Sequence, residues 1–240
     1  MLVATLPPFA QLALIGLVGL GVGRLLARLV VRLPLQLLGD SQAQALAEAN
    51  AATPKPRLST LELLIATLFV SLLWLHGWSA QTLALCGFVA VLVALSAIDL
   101  RTLLLPDALT QPLLWAGLVV AGLGWGAVDL HTSLWGAVAG YAVLWSVAAI
   151  FKALTGQDGM GQGDFKLLAA IGAWLGWPVL LAILLLASSS GAVAGLWLRQ
   201  RTHQRTGEEA RYIPFGPFLA GAAILLVLWP SIPLIPHVTW

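Results

Sequence analysis

The chain has 240 residues, 60% of them hydrophobic and 9% charged, with a net charge of +2 at pH 7. A water-soluble domain is nearer a quarter charged, and a mean hydropathy of +0.93 means more apolar surface than one packed core hides, so lipid is the expected solvent. The single cysteine, Cys86, excludes an internal disulfide and a cysteine zinc cluster, and nothing in so weak a charge points to nucleic acid.

A membrane span needs about 20 apolar residues. Taken in chain order, the candidates are 8–31, 61–78, 80–98, 109–128, 133–151, 167–177, 179–198 and 214–229. The expected fold class is therefore all-α, a polytopic membrane protein of about eight transmembrane helices. No basic stretch precedes the first span and no small-residue cleavage site follows it, so it is expected to stay as a helix rather than be removed as a leader. Residues 41–56 form an Ala/Gln/Pro-rich connector.

The sixth span is short. Between Asp164 and Pro178 the helix rises only about 16–20 Å, less than the roughly 30 Å of a hydrocarbon core. Either Asp164 lies below the membrane surface or the bilayer is thinned there. Gly136 with Gly140, and Gly191 with Gly195, are small-xxx-small steps that let helices approach closely.

With alternating spans and the N-terminus outside, the connections 32–60, 99–108, 152–166 and 199–213 share one side. All 12 Lys and Arg residues fall on that side or near it. The positive-inside bias makes that side cytoplasmic. Trp74, Trp78, Trp125, Trp135, Trp177 and Trp229 cluster near the opposite span ends, as an interfacial belt does.

Ionisable groups at membrane depth are costly, so each is a functional candidate. Asp99 closes the third apolar run, Asp164 opens the sixth and Glu62 opens the second. The bland readings are a helix-end residue pairing with Arg101 for Asp99 and an N-cap for Asp164. Gly159, Gly161 and Gly163 alternate before Asp164, and glycines let a backbone or substrate come close. No Gly-Lys-Ser/Thr follows, so this is not a phosphate loop. Two carboxylates brought within a few ångströms share a proton, and such a pair activates water and protonates a leaving amine. Asp107, after Pro106, reads as the N-cap of the fourth helix in preference to a catalytic group. Lys166 reads as a snorkelling or lipid-phosphate residue. His76, His131, His203 and His237 show no ligand spacing, so no metal site is expected.

Five ordered segments resemble the prepilin peptidases, the type IV leader peptidases among the GxGD aspartyl proteases. Asp99-Leu-Arg-Thr-Leu-Leu-Leu-Pro-Asp107 with Thr110 is similar to their first aspartate motif, and Gly161-Gln-Gly-Asp164-Phe-Lys166 to their Gly-x-Gly-Asp motif. Residues 213–220, 23–34 and 57–64 resemble their last-helix signature, first-helix end and second-helix start. The resemblance implies a membrane endopeptidase that removes the basic leader from type IV prepilins or from type II secretion pseudopilins. Cleavage follows a glycine at the cytoplasmic face of the bacterial inner membrane. It makes Asp99 and Asp164 the catalytic pair, with Gly161, Gly163, Asp107 and Lys166 as candidate substrate-binding residues.

Many members then methylate the new N-terminus with S-adenosylmethionine. For that step Arg57 and Glu62 match retained positions, while the peptidase step implies no cofactor. The departure is the first loop, which has none of the family's Cys-x-x-Cys pairs, so no zinc is expected. A usual Ser-Phe-Leu-Asn also reads Arg24-Leu-Leu-Ala27. The expected organisation is a reduced methyltransferase-type region over 1–60 and a peptidase domain over 61–240. Expected partners are prepilins or pseudopilins and membrane lipids. The rival readings are a polytopic transporter, since broken helices and buried acids also mark transporters, and a structural membrane subunit.

Overall fold

The computed structural model describes residues 7–37, 60–157, 160–201 and 214–229. Among them are eight α-helices: α1 (Pro8–Leu37), α2 (Thr60–His76), α3 (Ala80–Thr102), α4 (Asp107–Gly122), α5 (Leu130–Thr155), α6 (Gln162–Leu175), α7 (Leu180–Arg201) and α8 (Gly216–Leu228). A 3-10 turn, Trp177–Val179, joins α6 to α7. No strand occurs among the described residues. This is what lipid demands, because a spanning segment has to satisfy its own backbone polar groups. Four segments (Pro8–Leu35, Ala80–Thr102, Leu130–Thr155 and Trp177–Trp197) are long and apolar enough to cross a membrane. Their outward positions are apolar too: Trp145, Ile150, Leu181, Leu185 and Val193 are all more than half exposed. In water such a surface would aggregate, whereas in lipid it is a solvated face. The chain is an all-α, polytopic membrane protein.

The chain divides into two compact units, Met1–Ile98 and Asp99–Trp240. In the first, α1 packs on α2. A Cβ at Gly19 would stand 2.7 Å from Cα of Ala66, and one at Gly23 equally close to Cα of Glu62, so these glycines allow backbone contact. Beside them Arg24 Nε lies 3.4 Å from Oε2 of the buried Glu62.

The second unit is built around α6. From Phe165 to Leu175 every residue except half-buried Lys166 is buried, with α4, α5 and α8 packed on it. The shortness of the sixth span follows: its 14 residues, about 21 Å long, are enclosed by protein rather than lipid. Gly136 and Gly140 of α5 set their backbone against Gly172 and Leu168 of α6, with no room for a Cβ on any of the three glycines. Ser133 Oγ donates to the Ala173 carbonyl, and Trp174 Nε1 donates to the Leu113 carbonyl at 2.8 Å. These bonds satisfy polar groups that burial would otherwise leave unpaired. Asp129 caps α5, accepting from the N–H of His131 at 3.0 Å and of Thr132 at 3.2 Å. Hydrogen bonds from Thr132, then from His131, hold this exposed carboxyl below the usual carboxylate range.

Candidate active site

Asp99 lies in the last turn of α3, where its carbonyl accepts the N–H of Leu103 at 2.9 Å. Leu103 has φ 54, alone among the described non-glycine residues in taking a positive value. It sits where a helix usually ends on glycine, and the bond it makes is the αL capping bond. The chain then runs non-helically through Leu104 and Leu105 to Pro106, as the residue before a proline is pushed towards an extended conformation. Pro106, at φ −68, opens α4.

The Asp99 side chain is 4% exposed and its Oδ2 accepts the backbone N–H of Gly216 at 3.0 Å. Gly216 is the first residue of α8, and Pro217 follows it. The first N–H groups of a helix have no partner inside the helix, so this one is available to a carboxylate. A Cβ at 216 would stand 2.6 Å from Oδ2 of Asp99, and only glycine permits the bond.

Asp164 is the third residue of α6 and is 8% exposed. Its backbone N–H is bonded to the Gly161 carbonyl at 3.2 Å. Gly161, not Asp164, is the N-cap, and no side chain caps this helix. The Asp164 carboxylate is thus left for other work and lies within electrostatic reach of Asp99. A single methyl group marks how near their surroundings come. Cδ1 of Leu105 lies 3.3 Å from where a Cβ on Gly163 would stand, and the same distance from one on Gly216.

The other expected site residues divide. Gly161 and Gly163 flank Asp164 as the spacing implied, with Gly161 open to solvent. Asp107 is not the N-cap of α4; that position belongs to Pro106. The Asp107 carboxylate instead receives both its bonds from Lys166 Nζ, at 2.7 and 2.8 Å. Lys166 accordingly has a protein partner rather than lipid as its nearest anion, and the pair ties the first turn of α4 to the first turn of α6. Glu62 is engaged by Arg24 in the other unit, and Arg57 and Gly159 lie outside the described residues. Two site residues escaped sequence reasoning. Gly216 stands inside the 213–220 signature, where Gly-Pro at a helix start was the available signal. Leu105 stands in the Leu-Leu-Leu-Pro run, where the proline was the signal for a non-helical segment.

The fold and this site define a helical membrane protein that buries two carboxylates within electrostatic reach of each other, each near a helix end and each next to glycine. Residues 86–196, the stretch that contains both aspartates, match the sequence model of the Type IV leader peptidase family. The chain is 50% identical over 175 residues to the prepilin leader peptidase/N-methyltransferase of Aeromonas hydrophila, covering 72% of this chain and 58% of the relative. It is 48% identical over 172 residues to the protein of the same name from Burkholderia pseudomallei (strain K96243), covering 70% and 54%. The match therefore spans under two thirds of the length of these curated relatives. No solved structure matches the chain.

Proposed function

We propose that the chain is a membrane aspartyl endopeptidase that removes the leader from type IV prepilins or type II secretion pseudopilins. The observation that carries this reading is the buried Asp99–Asp164 pair, two carboxylates within electrostatic reach of each other. Buried acids in a membrane protein are costly unless they serve a function, and two adjacent carboxylates are what hydrolysis by direct water attack needs. One carboxylate takes a proton from the water as its oxygen adds to the scissile carbonyl carbon. The other carries the proton that the departing amine receives as the C–N bond breaks. No covalent intermediate forms. Gly161 and Gly163 give the substrate backbone room beside Asp164.

In this reading residues 61–240 form the peptidase domain, 1–60 are the reduced methyltransferase-type region, and the site faces the cytoplasm of an inner membrane. The charge distribution supports that orientation, with Arg101, Lys152 and Lys166 near the ends of α3, α5 and α6 that flank the connections 103–106 and 156–161. The relatives' names also carry N-methyltransferase. The one described residue of the expected cofactor positions, Glu62, already accepts from Arg24 and has Gly23 packed on its Cα. Methyl transfer with S-adenosylmethionine stays a second candidate activity of this chain, and the cofactor takes no part in the proposed cleavage.

The test is to incubate the purified chain in detergent or lipid with a prepilin. Wild type shortens the substrate by its leader, while Asp99→Asn and Asp164→Asn each lose about 100- to 10,000-fold, the usual contribution of an acid/base group. Loss of both costs little more than loss of one, because the pair acts as a unit. An uncut substrate, or a single mutant that still cuts well, rejects the reading. Weighing the product after adding S-adenosylmethionine decides the methyl transfer separately.

A further inference from the structure

Leu105 lies between the two glycines of the aspartate pair, and the chain around it is restrained. Its Cβ is 2.8 Å from the site of a Cβ on Gly163, and its Cδ1 reaches towards Gly216, whose N–H is bonded to Asp99. The residue is half-buried, so one side packs on the glycines and the other is open to whatever approaches them.

Three features hold it in place. Two residues earlier, the N–H of Leu103 is bonded to the Asp99 carbonyl in the αL cap. One residue later, the ring of Pro106 limits the backbone. Two residues later, Asp107 makes two bonds to Lys166. A segment that moves as a lid needs hinge positions free to change φ and ψ. Here the flanking positions are restrained, by the Leu103 cap, the Pro106 ring and the Asp107–Lys166 bonds, and they are tied to the helices that carry the aspartates. Leu105 is therefore a wall of the site and not a lid over it.

We propose that Leu105 is the specificity-determining residue of this site. By filling the space between Gly163 and Gly216 it limits the substrate residue beside the scissile bond to a very small side chain. The inference rests on the peptidase reading and deepens it. A peptide that brings its carbonyl to the Asp99–Asp164 pair has to pass its own backbone along these glycines. There the Leu105 Cδ1 stands 3.3 Å from the Cβ position of either glycine, so a bulky substrate side chain would have to displace it. An apolar contact of this kind discriminates by steric exclusion, and each methylene group displaced costs about 10- to 200-fold in kcat/KM.

The experiment uses the full chain in detergent and three forms of one prepilin, with Gly, Ala or Val immediately before the cleaved bond. The reading is the ratio of kcat/KM between the Gly and Val forms within each enzyme variant, so a general loss of activity cancels. Wild type is expected to prefer Gly over Val by at least ~100-fold. Leu105→Ala is expected to narrow that ratio by ~10-fold or more, Leu105→Val to narrow it less, and Leu105→Met, near in volume, to keep it within ~3-fold. If Leu105→Ala does not fold, Leu105→Val carries the same comparison. A wild type that discriminates, with smaller variants that keep the same ratio, overturns the role of Leu105 alone. A wild type that cuts none of the three overturns the peptidase reading, and this inference with it.

Discussion

The backbone N–H of Gly216 donates a 3.0 Å hydrogen bond to Oδ2 of Asp99, joining the first residue of α8 to the last turn of α3. The bond uses a helix-terminal donor that the helix cannot satisfy itself, and it fixes which way the buried carboxylate points. A side chain at 216 would meet that oxygen at 2.6 Å. Gly216→Ala should therefore displace Asp99 or α8, with overpacking of about 1–3 kcal/mol. If that cost falls on the reacting geometry, leader cleavage drops by about 5- to 150-fold. Gly221→Ala is the control on the same helix, because nothing lies within 4 Å of its Cβ position. It should leave cleavage unchanged, as measured by single-turnover kinetics of both variants.

The Asp107–Lys166 pair should behave as a structural tie. Both groups keep contact with solvent, Lys166 at 26% and Asp107 at 61% side-chain exposure, so the pair is worth only about 0.2–1 kcal/mol. Asp107→Ala and Lys166→Ala should each lower thermal stability slightly and cleavage more clearly, through the shifted α4 start. The exchanged pair, Asp107→Lys with Lys166→Asp, should recover most of both. A double-mutant cycle reads the coupling. A zero coupling energy would separate the two residues and return them to independent contacts with substrate or lipid.

Leu103 occupies a left-handed backbone position at φ 54, where a side chain costs about 1–2 kcal/mol. Leu103→Gly should remove that cost, and the greater freedom of glycine in the unfolded chain should take back part of it. The expected net change is a small gain, up to about 1 kcal/mol, seen as a raised Tm in detergent. Leu103→Val, branched at Cβ, should lower Tm instead.

The contact of α5 with α6 depends on backbone meeting backbone at Gly136 and Gly172. Gly172→Ala should cost more than Gly216→Ala, ~3 kcal/mol or more, since neither main chain can yield as a flexible side chain would. The expected result is loss of folded protein in detergent-solubilised expression, checked by size-exclusion profile. Gly87→Ala, with nothing within 4 Å of its Cβ position, should express normally.

Much of the architecture was legible in the chain. The eight apolar runs became eight helices among the described residues, because lipid offers no water to satisfy an irregular backbone and length plus hydropathy then specify a helix. Asp99 and Asp164 could be singled out because a carboxylate in so apolar a chain has few innocuous explanations. Local punctuation was also legible, with Pro106 marking a helix start and the glycines marking close approach.

Tertiary structure alone decided the partners. Lys166 bonding Asp107 across 59 positions, Gly216 bonding Asp99 across 117, and Leu105 lying between two glycines from different segments have no local sequence signal. Nor did the chain reveal that α6 is enclosed by protein. In water, a helix face that packs is apolar and a face that does not is polar, so periodicity reports burial. In lipid both faces are apolar, and this contrast disappears. The sequence by itself therefore determined that the chain is a bundle of membrane helices with two exceptional aspartates. Which faces meet, and so what surrounds those aspartates, was settled by close packing of glycine, leucine and backbone that only the folded molecule contains.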